Sequence, residues 1–196
     1  MKRIFTLLIA ALLTTGFCSN LMAQDKELTK AEKKELKKQE KERKKKIEET
    51  GDAIAFEMAA KSLKGSNFVI EADQLQSDKG GITHVNPNTN FITIVGEDAT
   101  VQIAPSNHIA GPNGVGGITL DGKVSNVKIS TDKKGSITYA CSILGAGISA
   151  SVHITLHKGS STAYATVFPN FSSNDVTLIG KVKSPKSSLI FKGRSI

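Results

Sequence analysis

The chain has 196 residues, 22% of them charged and 39% hydrophobic, and its aromatics are eight Phe and two Tyr. Its net charge of +8 is not a property of the body: Lys2 and Arg3 carry +2, residues 25–50 hold 11 Lys/Arg against 8 Asp/Glu, and residues 51–196 hold 13 against 10. A nucleic-acid partner is not indicated, since that chemistry needs a concentrated basic face, and two distant cysteines rule out a disulfide-stapled scaffold.

Met1-Lys2-Arg3 is a short positive segment, followed by the apolar run Ile4–Leu13, broken only by Thr6. Crossing a bilayer as a helix takes about 20 apolar residues. The run instead has the length of a signal-peptide core, and Leu21-Met22-Ala23 places a small residue before a cut at Gln24. Residues 1–23 are therefore expected to direct export to the periplasm, with no transmembrane helix in the mature chain. Cys18 invites comparison with a lipoprotein, but the bulky Phe17 stands where a lipobox needs a small residue, so ordinary export is the expectation. Cys141 is then the remaining thiol. It alternates with Ile137, Tyr139 and Ile143 on one apolar strand face and reads as a buried small hydrophobe.

Residues 24–50 read as a charged spacer, helical or disordered. Leu28, Ala31, Leu36 and Ile47 make no continuous stripe, and oppositely charged i,i+3 and i,i+4 pairs add only about 0.2–0.5 kcal/mol each to a helix. Lys44-Lys45-Lys46 is a contact candidate for anionic lipid or cell-wall polymer, but the interleaved acids favour a soluble spacer. Gly51 is expected to interrupt the rod and open a helix-plus-β domain over residues 51–196. Phe56, Ala59, Ala60 and Leu63 recur at i, i+3, i+4 and i+7, one apolar helical face, and Gly65 sits where a C-terminal cap belongs.

From Asn67 the period changes from 3.6 to 2. Short β-branched segments are predicted at Phe68–Ala72, Ile82–Val85, Phe91–Val95, Thr100–Ala104 and Val127–Thr131, then Ser136–Leu144, Ile148–Leu156, Thr162–Phe168, Val176–Val182 and Ser187–Lys192. Hairpin-like connections join them, among them Asp132-Lys133-Lys134-Gly135 and Gly145-Ala146-Gly147. Ile118, Leu120 and Val124 share even parity while Val127 and Ile129 are odd, which asks for either a bulge near Ser125-Asn126 or a turn at Asp121-Gly122; the bulge is preferred. The expected fold is mainly β: an antiparallel sandwich or lipocalin-like barrel of about 8–10 short strands behind an N-terminal helix.

No metal, cofactor or catalytic set is expected. His153 and His157 sit four residues apart, which on a strand is ~13 Å, too far to share one ion; His84 and His108 are isolated. Gly117–Lys123 matches most of a phosphate loop, but Val124 stands where a hydroxyl must bind magnesium, and the setting is all strand. The long loop Ser106–Gly117 is the best place for a ligand, with Asn107, His108 and Asn113 as polar groups on its rim.

Phe56-Glu57-Met58-Ala59-Ala60, Gly65-Ser66-Asn67-Phe68, Asn90-Phe91, Gln102, the run Gly116–Gly122, Gly159 and Gly180 resemble a Bacteroidetes family, domain of unknown function 4251, over most of the chain after Gly51. The resemblance implies an envelope location and brings no catalytic residues with it. The expectation is an exported, non-enzymatic β domain that binds a small apolar or glycan ligand, or an envelope protein, in a groove or barrel mouth. The rivals are an envelope-polymer hydrolase assembled from His84, His108, Asp98, Asp121 or Cys141, and a structural or scaffolding protein that makes contact through residues 25–50.

Overall fold

The computed structural model describes residues 30–105, 113–170 and 172–195. The chain divides into two compact units, Met1–Lys41 and Glu42–Ile196. The described part of the first is the opening of helix α1 (Lys30–Lys64), where every side chain is exposed. Gly51 does not interrupt this helix. Nothing lies within 4 Å of where its Cβ would stand, and a single solvated glycine costs a helix only about 1 kcal/mol. The expected apolar face forms: Ala59, Ala60 and Leu63 are buried and Phe56 is half-buried against the same core. The helix end differs in one detail. Gly65 donates its amide to the Lys61 carbonyl at 3.0 Å, but it is Ser66, at φ 47°, that takes the left-handed position.

Among the described residues nine strands follow: β1 (Asn67–Ser77), β2 (Ile82–His84), β3 (Phe91–Val95), β4 (Asp98–Ile103), β5 (Ile118–Thr131), β6 (Ile137–Gly145), β7 (Ser149–Leu156), β8 (Thr162–Pro169) and β9 (Val176–Lys183). All pairings are antiparallel. From β3 to β9 each strand lies beside the next in sequence, and β1 pairs with both β3 and β9, which closes an eight-stranded barrel. The short β2 pairs with Gln74–Gln76 of β1, beyond the stretch of β1 that β3 covers. Of the two architectures expected, the closed barrel is the one formed, because a single sheet meets itself where a sandwich would need two.

The preferred bulge is present. β5 is one strand, its register against β6 slips between Ser125 and Lys128, and Asn126 takes φ 54°. The change of side-chain parity is thus a bend in a continuous strand. Closure also needs near-contact between backbones. A Cβ on Gly180 would lie 2.0 Å from the Glu71 carbonyl oxygen across the β1–β9 seam.

One strand does not form. Ser187–Lys192 was expected to be β, but Pro185–Ser187 is a single 3-10 turn and the chain beyond it pairs with no strand. The residues after the turn form a strap whose hydrogen bonds go largely to side chains on the outside of the barrel. Gln102 donates to the Phe191 carbonyl at 2.9 Å and accepts the Gly193 amide at 2.7 Å. Glu71 accepts the Ser188 hydroxyl at 2.7 Å and the Leu189 amide at 3.2 Å. Leu189 and Phe191 themselves stay exposed, so the strap is held by polar groups. Period-2 alternation alone could not separate such a strap from a strand.

Candidate functional site

The barrel interior is apolar throughout but unevenly filled. At the end where β1 begins, Phe68, Tyr139, Ile137, Leu156 and Leu63 are large and essentially inaccessible. Phe68 and Tyr139 meet edge to face with ring centroids 5.4 Å apart, and the Tyr139 hydroxyl lies 3.2 Å from that of Ser66. Towards the opposite end the described inward residues are aliphatic only, Ala150, Val101, Val167 and Val176 among them, with no aromatic ring. A cavity of about 300 Å³ opens there, at the small end of the range typical of ligand sites.

Ile103, Ile118 and Leu120 form one wall, Ala150 and Val167 the other, and Pro105, Gly116 and Gly117 part of the rim. Gly117 is required by its position: a Cβ there would fall 1.8 Å from the Ile103 carbonyl oxygen, between β4 and β5. Ser172 and Asn174, on the β8–β9 connection, supply the polar side chains of the lining.

The cavity therefore borders the long loop singled out in the sequence, although Asn107 and His108 lie outside the described residues. Asn113 is buried and fully engaged. It donates to the Thr119 hydroxyl at 3.1 Å and accepts the amides of Val115 and Gly117 at 3.1 and 2.9 Å. Its carbonyl takes the Arg194 amide at 2.8 Å. In this arrangement Asn113 ties down the loop base and the strap, and no side-chain polar atom is left over for a ligand. The wall residues were not singled out in the sequence. Their signal is confined to single strands: on β7 the inward side chains fall from Leu156 through Ile154 and Val152 to Ala150, whereas β4 and β8 run the other way, from Ala99 to Ile103 and from Ala163 to Val167.

Of the rival catalytic groups, Asp98 and Asp121 line one open pocket on the outside of the barrel, with Thr100, Lys123 and Lys192, and each carboxylate there is taken by a lysine. Asp98 is paired with Lys123 and Asp121 with Lys192, each at 2.6 Å. Burial alone would raise the Asp121 pKa, but hydrogen bonds from Lys192, Ser195 and Thr100 outweigh it and hold the carboxyl below its ordinary value. Such a group is poised to stay charged. Cys141 is buried among apolar side chains, and desolvation pushes its thiol up to about 11, the opposite of what a nucleophile needs. His84 is exposed on β2. His153 and His157 face outward, against Phe168 and Tyr164 with ring centroids 5.3 and 5.7 Å apart. Among the described residues no three His, Cys, Asp or Glu are grouped to hold a metal ion, and no helix is long and apolar enough to cross a membrane.

The family model "Domain of unknown function (DUF4251)" matches residues 51–182, from the middle of α1 through nearly all of β9. The chain belongs to this family. A crystal structure of a DUF4251 family protein from Bacteroides eggerthii DSM 20697 is 44% identical, with a TM-score of 0.65 over 76% of this chain and 99% of that one. No curated protein matches the chain. The matched span contains the whole barrel except the last residue of β9, and the strap that follows lies outside it.

Proposed function

We propose that this DUF4251 protein is an exported, non-enzymatic binding protein of the bacterial envelope that holds a small apolar molecule in the barrel mouth. The observation that carries the reading is the unfilled apolar end of an otherwise packed barrel. An up-and-down barrel closed at one end and open at the other is the lipocalin-like arrangement, in which the mouth is the binding site. The wall chemistry favours an apolar ligand over a glycan, since sugar hydroxyls set against Val101, Ile118 and Leu120 would lose water without gaining partners. Export is supported by the charged start and apolar run of residues 1–23; the mass of the mature protein tests it, with Gln24 as the expected first residue.

The binding test uses N-phenylnaphthylamine, a neutral probe that fluoresces in apolar surroundings. The whole chain, produced in a bacterial host, should bind one probe per barrel, and Ile118→Trp should fill the mouth and abolish the signal. Ile118 is 39% exposed, so the larger ring can be placed without repacking the core. Absence of saturable binding, or binding that Ile118→Trp leaves untouched, overturns the proposal.

A further inference from the structure

No charged side chain lines the cavity among the described residues, and its two polar side chains, Ser172 and Asn174, stand together on one side of the rim. The Ser172 hydroxyl oxygen accepts the Asn174 amide at 3.1 Å. The hydroxyl proton and the exposed Asn174 carboxamide are left to offer both donors and an acceptor at that point. The charged residue next in sequence is Asp175, a carboxylate that does not line the cavity.

These features select a ligand chemistry. An anionic head group would meet no cation among the described lining residues and would sit near Asp175. A cationic head group would have no acceptor of opposite charge among the described lining residues. A molecule with polar groups along its length would leave them unpaired against the walls, at a cost of about 1–3 kcal/mol each. Resting on the binding function proposed above, we infer that the ligand is an uncharged amphiphile. Its apolar body lies between β4–β5 and β7–β9, and its single hydroxyl, carbonyl or amide is held at the rim by Ser172 and Asn174.

The experiment displaces bound N-phenylnaphthylamine with decanol, decanoate and decylamine at pH 8, on the wild-type chain and on a Ser172→Ala, Asn174→Leu double variant. Decanol should displace the probe from wild type at concentrations about tenfold below either charged analogue. In the double variant decanol should weaken about three- to tenfold, the loss of one hydrogen bond, once its displacement is corrected for the probe affinity measured on that same variant. Because both substituted residues lie at the solvent-facing rim, the variant keeps the core intact, and an unchanged melting temperature checks this. Equal or better displacement by decanoate or decylamine overturns the inference, as does decanol binding that ignores the double variant. A probe that fails to bind wild type, or binds regardless of Ile118→Trp, overturns the proposed function and takes this inference with it.

Discussion

The two ends of the barrel are built from the same strands and the same kinds of apolar residue, yet one is solid and the other hollow. At the closed end Phe68, Tyr139, Ile137 and Leu156 meet Leu63 from the helix, and each is buried to within 2%. At the open end the strands contribute Ala150, Val101 and Val167, and among the described residues no helix covers them. The difference lies in side-chain volume and in one added element, and the topology is common to both. It separates residues that hold the fold from residues free to serve a ligand.

The comparison breaks most visibly at Leu63. Leu63→Ala should cost about 2–5 kcal/mol by opening a void in the closed end, while Ile118→Ala, on the cavity wall, should stay within about 0.5–1 kcal/mol. Urea unfolding of both variants checks the contrast, and similar losses at the two sites would erase it. Next in size is the seam. Gly180→Ala drives a methyl group into the Glu71 carbonyl and should cost about 1–3 kcal/mol or more, seen as a lower melting temperature and faster amide exchange in β1 and β9.

The smallest expected effect depends on acidity. Burial alone would raise the Glu71 pKa, but bonds from Lys183, Ser188 and the Leu189 amide outweigh it and keep the carboxyl below its ordinary value. A carboxylate depressed on folding stabilises the protein above its unfolded pKa, about 4.3 for Glu, and that contribution is lost as the pH falls through the folded value. Glu71→Gln should therefore be about 1–2 kcal/mol less stable at pH 7, with the two stabilities converging in acid. Curves that stay parallel down to pH 3 would remove Glu71 from the account.

Much of the fold was legible. Alternation located the barrel strands because one side of each faces the apolar interior, and the parity change at Val124–Val127 marked the β5 bulge. The helix was misread at Gly51, where local propensity suggested a break and a solvated helix tolerated the residue. Ser187–Lys192 was misread because the short apolar run Leu189-Ile190-Phe191 has the composition of a strand, while the groups that hold it, Gln102 and Glu71, lie far away in sequence. The site was legible only as a neighbourhood. Asn113 drew attention as a polar loop residue and proved to be part of the scaffold. The walls that enclose the cavity are ordinary valines and isoleucines, and their meaning arises only once the sheet closes.

The seam between β1 and β9 has a consequence for how the molecule is made. Lys183 lies 112 residues after the Glu71 carboxylate it pairs with at 2.6 Å. As the chain emerges into the compartment where it folds, β1 and the six strands from β3 to β8 can zip together in order as a curling ribbon, but the ribbon cannot become a cylinder until β9 arrives. Throughout that interval one edge of β1 is bare, and such long-range closure is slow and open to aggregation. The emerging chain thus has a built-in waiting period, ended by the late arrival of a single eight-residue strand.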